Sequence, residues 1–285
     1  MWHRVRVFLD AIKFEHTIFA LPFAYLGMIL AARGWPTWHQ FIWITVAMIA
    51  ARTLAMSVNR VADLYYDARN PRTANRPLVR GELTPAQVWA AAILSLVIFF
   101  IAAWQLNPFV LKLAPIAALF LMGYSYTKRF TWLTHWWLGL TDGAAAAGAW
   151  AAVTGNLNSP TPWLLWIAVT FWIAGFDLIY ACQDVEFDRQ AGLHSVPARF
   201  GIATALRVAK ACHVVTLLSL AATGWVEGLG WPYWLGLVAV AGLLAYEHSL
   251  VKADDLSKVN VAFFTVNGYI SVITFLATFA GIFVQ

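Results

Sequence analysis

The most constraining feature of this sequence is the repetition of apolar segments about as long as a bilayer is thick. A membrane-spanning helix needs about 20 predominantly apolar residues, and nine segments of the chain approach that length. They are residues 14–32, 38–59, 87–105, 108–124, 136–153, 162–182, 203–225, 231–246 and 261–283. Only 12% of the 285 residues are charged, where a typical soluble domain has roughly 25%. The sequence therefore predicts an all-α, polytopic membrane bundle of nine transmembrane helices, formed as a single domain over residues 1–285.

The basic residues are distributed unevenly between the two ends of these segments. Sixteen of the 19 Lys and Arg residues lie at the N-terminus or around the connections that follow the second, fourth, sixth and eighth segments. Only Arg33 and Lys112 lie toward the opposite ends of the segments, and Arg52 lies within the second segment. Because cytoplasmic connections collect Lys and Arg, we expect a multi-pass protein of the inner (cytoplasmic) membrane with its N-terminus in the cytoplasm.

The net charge of +5 is explained by this topology. No basic stripe with interleaved aromatic residues indicates nucleic-acid binding. The pattern therefore predicts the lipid bilayer as the surroundings of the protein, no nucleic-acid partner and no evident protein partner.

Five of the nine aspartates are concentrated at the predicted cytoplasmic ends of the second and sixth segments. At helical spacing, residues three or four positions apart share one face. The first stretch places on such a face Asn59, Asp63 and Asp67; the second places there Asp177, Tyr180, Asp184 and Asp188. Ionisable groups at membrane depth usually face a bundle interior or an aqueous cavity. We therefore expect the two stripes to face each other across a cavity.

Like-charged carboxylates four residues apart destabilise a bare helix, so the stripes predict a cationic partner. Mg²⁺ suits them because it takes one or two carboxylates and fills its remaining positions with water and substrate phosphate oxygens. The predicted metal ligands are Asn59, Asp63, Asp67, Asp184 and Asp188. A diphosphate is the predicted third component of the site.

The same end of the bundle offers side chains that can hold phosphate oxygens directly. Arginine binds phosphate in a bidentate way, and lysine acts as a mobile point charge. The predicted substrate-binding residues are Arg52, Asn59, Arg72, Arg76, Tyr124, Asp177, Tyr180 and Arg189, with Lys128 as a catalytic cation and Lys13 as a further phosphate candidate. Arg52 lies about two turns before Asn59 on the same face, which places it deeper in the bundle. Asp142 has no predicted role.

Each element also has an alternative explanation. Aspartates near a helix end can be solvated at the headgroups, loop arginines and Lys128 can serve topology alone, and Arg52 can be a structural ion-pair partner. A transporter with an intramembrane cation site is an alternative of another class, since transporters also place carboxylates inside helix bundles. The concentration of polar residues at one end of the bundle favours a metal-diphosphate site over a path through the membrane.

The same residues resemble the UbiA superfamily of intramembrane aromatic prenyltransferases, which carry NxxxDxxxD at the end of the second helix and DxxxD at the end of the sixth. Asn59, Asp63 and Asp67 match the first motif, and Asp184 and Asp188 match the second. The stretches that resemble the family's YxxxK element and its segment after the first motif are residues 124–128 and 72–78. With the helix count, the resemblance covers essentially the whole chain. One departure is Arg60, where the family's 4-hydroxybenzoate enzymes often carry aspartate, and it leaves the acceptor open.

The resemblance implies Mg²⁺-dependent transfer of a polyprenyl group from an allylic diphosphate to a hydroxy-aromatic acid. The expected acceptor is 4-hydroxybenzoate in quinone biosynthesis, and the alternative is a dihydroxynaphthoate of the menaquinone pathway. The residues expected to act in catalysis are Asp63, Asp67, Asp184, Asp188 and Lys128. Arg52 is expected to hold the acceptor carboxylate.

Overall fold

The computed structural model describes residues 2–12 and 17–284, with side chains described from residue 6 to 12 and from 21 onward, and its regular elements are helical apart from an isolated bridge between Lys252 and Asp255. The α-helices, in chain order, are α1 (Trp2–Ala11), α2 (Thr17–Ala32), α3 (Trp38–Ala62), α4 (Leu64–Asp67), α5 (Pro85–Leu106), α6 (Pro108–Thr127), α7 (Thr134–Thr154), α8 (Pro160–Ala181), α9 (Val185–Gln190), α10 (Val196–Phe200), α11 (Ile202–Glu227), α12 (Trp231–Leu250) and α13 (Asn267–Phe283). A 3₁₀ turn covers Cys182–Asp184, and a π-helical turn, Val261–Val266, leads into α13. The all-α prediction is confirmed for the described residues.

The predicted apolar segments fall in long helices wherever the structure describes them. By length and composition, six helical stretches of the described chain can cross a membrane: Trp38–Ala62, Pro85–Leu106, Pro108–Thr127, Pro160–Gln190, Ile202–Glu227 and Val261–Phe283. The other three predicted spans correspond to α2, α7 and α12. The start of the first predicted span, residues 14–16, lies outside the described residues. The protein is a multi-pass membrane protein, and the count of nine spans stays a prediction.

Local sequence signals explain where several long helices begin. Thr37 accepts a hydrogen bond from the backbone of Gln40, whose side chain accepts one from Thr37 in return. Thr84 and Gln87 form the same reciprocal cap, with Pro85 in the first helical turn. Such boxes satisfy backbone donors that a helix start leaves without intrahelical partners. The caps therefore fix where α3 and α5 begin.

The long helices contact one another in a closed series, in which α8 lies between α7 and α11. About 61% of the span that contains α8 is buried, against 22% for α6. Trp172 and Leu165 on α8 are almost completely buried in the largest core cluster, together with Leu26 of α2. α8 is therefore a central helix of the bundle, buried between its neighbours.

The two ends of the bundle are built differently. At one end the connections are short, covering residues 33–37, 107, 155–159 and 228–230. At the other end the longer connections 63–84 and 182–201 leave α3 and α8 and carry the short helices α4, α9 and α10. The connections that are long enough to fold back over the bundle therefore lie at the end that carries the aspartate motifs.

Candidate active site

Both aspartate-rich helices break at the first aspartate of their motif. Asp63 follows the last residue of α3 and has φ −93° and ψ 3° before α4 begins. Asp184 ends the 3₁₀ turn after α8 and has φ −101° and ψ 5° before α9 begins. Both residues lie in the sparsely allowed bridge region of backbone space, where many active-site residues are found. The two motifs therefore share a backbone geometry as well as a spacing.

The expectation of two stripes on helix faces is thus corrected in one respect, because neither helix runs unbroken through its motif. Aspartate competes with the helix for backbone hydrogen bonds and so favours helix ends. Across the first break the four-residue register persists, since the Asp63 N–H donates to the Asn59 carbonyl (2.9 Å) and the Asp67 N–H to the Asp63 carbonyl (2.7 Å). The side chains predicted to share a face still lie together.

The motifs enclose a cavity of about 220 Å³. The residues that line it are Asn59, Asp63, Tyr66, Asp67, Asn70, Arg72, Thr73, Arg76, Tyr124, Ser125, Lys128, Arg129, Thr134, Leu138, Asp177, Tyr180, Ala181, Asp184, Phe187, Asp188 and Leu193. All five predicted metal ligands are among them, as are most of the predicted substrate-binding residues. Arg52 and Arg189 are not.

A bidentate ion pair in the cavity joins Arg72 to Asp184. The guanidinium donates from Nε to Oδ1 (2.9 Å) and from Nη2 to Oδ2 (2.6 Å). The remaining amine, Nη1, donates to the Tyr180 hydroxyl at 3.0 Å. This fork crosses between the two motifs, because Arg72 follows the first and Asp184 belongs to the second.

The other three motif aspartates also have cationic neighbours. Arg76 Nη1 lies 2.5 Å from Asp67 Oδ2, and Lys128 Nζ lies 3.4 Å from Asp188 Oδ2. Asp63 has a longer contact, with 3.7 Å between its Oδ1 and Nη2 of a fourth cation, Arg129. In the cavity each of the four motif carboxylates thus lies near one of four cations. An entering anion can compete for the cations, and a metal ion can compete for the carboxylates.

Burial and neighbouring charge shift the pKa values of two groups at the cavity wall. Burial raises the pKa of Asp63 to about 6, and the charge of Asp67 adds to this effect. Burial alone would lower the pKa of Lys128, but the surrounding carboxylates, Asp188 and Asp184 foremost, outweigh it and raise the pKa above its ordinary value. Lys128 is therefore a permanent positive charge at the site.

Arg52 does not line the cavity but has a neighbour that does. Its Nε is buried without a hydrogen-bond partner among the described residues. Its electrostatic neighbours are Asp142 of α7 and the cavity residue Tyr124, and Asp142 in turn is a neighbour of Asp177. Arg52 is therefore connected through Asp142 to the deep end of the site. Asp142 itself had no predicted role.

One further phosphate candidate, Arg189, is not brought to the cavity. Arg189 is exposed and donates from Nε to the Ala198 carbonyl at 2.9 Å, which ties α9 to α10. Lys13 lies outside the described residues. Arg189 is placed to hold the connection that covers the site.

A model of the UbiA prenyltransferase family matches residues 20–279 of the chain. The chain belongs to this family. The predicted resemblance and the class of enzyme, a prenyltransferase, are both confirmed.

Individual relatives and solved structures agree with the family match. The 4-hydroxybenzoate octaprenyltransferase of Cupriavidus necator is 32% identical over 83% of this chain and 82% of its own, and that of Saccharophagus degradans is 32% identical over 87% of this chain and 82% of its own. The apo structure of a UbiA homologue from Aeropyrum pernix K1 is 34% identical, with a TM-score of 0.84 over 92% of this chain and 96% of that one. A UbiA homologue from Archaeoglobus fulgidus, bound to GPP and Mg²⁺, shares the fold at 20% identity, with a TM-score of 0.70 over 98% of this chain and all of that one.

The oxygen donors of this UbiA-family cavity fit a hydrated Mg²⁺ better than a cation caged by protein alone. Within the described residues, no three His, Cys, Asp or Glu side chains are grouped so that they could hold a metal ion. Mg²⁺ does not require such a group, because it keeps several waters and binds through one or two carboxylates together with phosphate oxygens. Asp63 and Asp67 on one wall and Asp184 and Asp188 on the other supply carboxylates for that arrangement.

Several residues of the UbiA-family site were not predicted from the sequence. Asn70 donates from Nδ2 to Asp184 (3.0 Å), and its own Oδ1 accepts from the backbone N–H of Arg72 (3.0 Å). Ser195 donates from Oγ to Asp188 at 2.9 Å. Both lie in the connections that fold back over the bundle, where no helical spacing indicates which side chains point inward.

Arg60, the departure from the family's motif, is buried beside the first aspartate motif. Its Nε donates to the carbonyl of Ala11, the last residue of α1 (2.6 Å), and its Nη1 donates to Asn59 Oδ1 (3.1 Å). Asn59 then donates from Nδ2 to Asp63 at 2.7 Å. Arg60 therefore caps α1 and orients Asn59, so the substitution of the family's aspartate has a structural role outside the cavity.

Proposed function

We propose that the protein transfers a polyprenyl group from an allylic polyprenyl diphosphate to the aromatic ring of 4-hydroxybenzoate, in a Mg²⁺-dependent reaction of ubiquinone biosynthesis. The observation that carries the proposal is the set of four motif carboxylates, each paired with a cation, around one cavity at the end of an apolar bundle. The phosphate oxygens of a diphosphate match the cations of this set, and the metal ion that accompanies a diphosphate matches the carboxylates. The names of the 4-hydroxybenzoate octaprenyltransferase relatives support the acceptor.

The cations of the cavity hold the diphosphate. Arg72 and Arg76 each release a carboxylate oxygen and turn their forked donors to phosphate oxygens, which arginine binds in a bidentate way. Asn59, Asp63, Asp67, Asp184 and Asp188 would hold Mg²⁺, which when bound neutralises charge on the diphosphate. The charge of the bound Mg²⁺ would then compensate the carboxylates that lose their arginine partners.

Lys128 stabilises the leaving group. It lies beside Asp188 and keeps its positive charge, so it faces the oxygen on which negative charge grows as the carbon-oxygen bond breaks. Preorganised charges of this kind contribute strongly to catalysis. The apolar surroundings deeper in the bundle exclude water from the allylic cation, and aromatic faces such as that of Tyr180 stabilise it.

The acceptor binds on the membrane side of the diphosphate. Arg52 lies deeper on α3 than Asn59 and has a free buried Nε, so it can attract a carboxylate. Its neighbour Asp142 keeps the guanidinium compensated before the acceptor arrives. A hydroxy-aromatic acid fits this polarity, with its carboxylate toward Arg52 and its ring toward the allylic carbon.

The test is prenyl transfer by purified, detergent-solubilised protein supplied with a polyprenyl diphosphate, Mg²⁺ and 4-hydroxybenzoate. We expect prenylated product that requires Mg²⁺, and its loss in Asp184→Asn. Asp254→Asn is the matched control, because Asp254 is exposed in the connection after α12. A parallel assay with 1,4-dihydroxy-2-naphthoate and with 1,4-dihydroxy-6-naphthoate contradicts the acceptor assignment if only a naphthoate is prenylated.

A further inference from the structure

Asp177 differs from the other carboxylates of the cavity in the partner that holds it. Asp67, Asp184 and Asp188 each have a cation within 3.4 Å, whereas Asp177 contacts an imidazole. Its Oδ2 lies 2.7 Å from Nδ1 of His135, whose side chain is fully buried, while the Asp177 side chain is 22% exposed. Asp177 lines the cavity, so one of its oxygens is held from behind and the other can face a ligand.

The hydrogen bonds of His135 fix which ring nitrogen carries the proton. The backbone N–H of Val196 donates to His135 Nε2 at 3.3 Å. Since Nε2 accepts, the neutral ring carries its hydrogen on Nδ1 and donates it to Asp177. His135 thus has no second donor to offer, and protonation at Nε2 would set two N–H groups against each other. In this pair the imidazole of His135 donates from Nδ1 to the Asp177 carboxylate on the side away from the cavity.

The connection that fixes His135 also holds the metal motif. Ser195 donates to Asp188 (2.9 Å), and the next residue, Val196, donates to His135. Asp177 of α8, through His135, and Asp188 of α9 are therefore both tied to one short segment of chain. Any movement of this segment would shift Asp177 and Asp188 together.

The position of Asp177 in the bundle suits the ring of the acceptor. It precedes Asp184 by seven residues, which is about 10 Å along a helix at 1.5 Å per residue, so it lies on the membrane side of the diphosphate site. Its charged neighbours are Lys128 toward the diphosphate and Asp142 toward Arg52. Asp177 therefore lies between the two groups proposed to hold the two substrates.

We propose that Asp177 accepts the proton that the aromatic ring loses during prenyl transfer, and that His135 is a positioning residue that aims its carboxylate. This inference rests on the proposed function. The carbon-oxygen bond of the allylic diphosphate breaks, and diphosphate leaves with the electron pair. The ring carbon ortho to the hydroxyl forms the new bond to the allylic carbon. The proton on that ring carbon passes to the free oxygen of Asp177, and its bonding electrons restore the aromatic ring.

The test compares rates of single-turnover transfer to 4-hydroxybenzoate with hydrogen or deuterium at the two ring positions ortho to the hydroxyl. In the wild-type protein, we expect removal of the ring proton to be fast and the two rates to be similar. In Asp177→Asn, we expect the rate to fall by roughly 10²-fold or more, the usual contribution of a general base, and the deuterated acceptor to react more slowly than the protonated one. A purely structural defect would slow both acceptors equally.

His135 is tested by two substitutions and a matched control. His135→Phe removes the donor to Asp177, and we expect a slower reaction with the same deuterium sensitivity. His135→Asn keeps a donor near the position of Nδ1, and we expect it to recover part of the rate, which also keeps the test valid if the phenylalanine variant does not fold. The control, His194→Phe, changes an exposed histidine of the same connection, whose backbone N–H donates to the Lys128 carbonyl.

The outcomes separate this inference from the proposed function. If the wild-type protein does not prenylate 4-hydroxybenzoate, the proposed function fails and this inference fails with it. If the wild-type protein is active but Asp177→Asn and both His135 variants show equal rates for the two acceptors, the inference alone is overturned. Slowing of the deuterated acceptor in these variants, and not in His194→Phe, supports it.

Discussion

Arg72 holds Asp184 with a planar fork that a lysine cannot reproduce, because lysine offers a single point of charge. In Arg72→Lys we expect kcat/KM for the polyprenyl diphosphate to fall roughly 10- to 100-fold, since a hydrogen bond to a charged group contributes about 1.5–3 kcal/mol and each 1.36 kcal/mol is tenfold in rate. The measurement is steady-state transfer with the diphosphate varied.

The control for this change is Arg80→Lys in the same connection. Arg80 is exposed and pairs with Glu82 at 2.7 Å, and exposed pairs contribute little. A loss of equal size in the Arg80 variant would show that charge in the connection, and not the fork on Asp184, governs binding.

Arg60 is expected to act on stability as well as on the site. Arg60→Ala leaves the Ala11 carbonyl and Asn59 Oδ1 without their buried donor, and a buried group left without its partner costs about 1–3 kcal/mol. We expect a lower midpoint of thermal unfolding in detergent and weaker Mg²⁺ dependence of transfer. Arg69→Ala is the comparison, because exposed Arg69 donates only within its own turn, to the Tyr65 carbonyl; an equal shift in both variants would contradict the role of Arg60.

At the scale of elements, α7 and α8 touch through their backbones. A Cβ on Gly139 of α7 would lie 2.2 Å from the carbonyl oxygen of Thr170 on α8. Small residues allow such close approach between membrane helices. The contact also brings His135 of α7 toward Asp177 of α8, so the geometry of the cavity depends on it.

We therefore expect Gly139→Ala to force α7 and α8 apart and to lower the free energy of unfolding by about 1–3 kcal/mol, the usual cost of overpacking. Gly148→Ala, on the same helix, is the matched control, because a Cβ there meets nothing within 4 Å and alanine favours a helix over glycine by about 1 kcal/mol. Thermal unfolding in detergent compares the two variants. Equal stability of both would mean that the helices can separate at no cost.

The break in each aspartate-rich helix belongs to this scale too. The four-residue spacing of the motifs predicts helical turns and says nothing of a change in direction at Asp63 and Asp184. The breaks appear only where α4 and α9 pack back toward the cavity. Sequence spacing therefore placed the right carboxylates together and missed the backbone that aims them.

At the scale of the whole molecule, we expect the cavity to face the cytoplasm, as the distribution of basic residues predicts. The two natural cysteines, Cys182 and Cys212, are buried, so a single exposed cysteine can report its side of the membrane. In intact cells we expect a membrane-impermeant maleimide to label Asn158→Cys, which lies in the short connection before α8 and is exposed.

Arg80→Cys, on the connection beside the cavity, is expected to be labelled only after the membrane is permeabilised. The unmodified protein serves as the control for labelling of the buried cysteines. Labelling of Arg80→Cys in intact cells would reverse the proposed orientation and place the diphosphate site outside.

The sequence alone determined the all-α membrane bundle, the end of it at which the aspartate motifs lie and the family to which the chain belongs. It could do so because apolar length, charge distribution and four-residue spacing are local properties that each segment carries by itself. The residues found this way, from Asn59 to Asp188, line one cavity as expected. Arg189 was placed by the same reasoning and lies elsewhere, since its position depends on how a connection folds.

Tertiary structure alone decided which partner each polar side chain meets. Asn70 and Ser195 reach the metal motifs, and Arg60 turns away from the cavity to cap α1, because connections far apart in sequence fold onto the same helix ends. His135 and Asp177 are 42 residues apart and belong to different helices, so no spacing in the chain indicates that they form a pair. Only the close packing of α7 against α8 brings the imidazole and the carboxylate within hydrogen-bond distance.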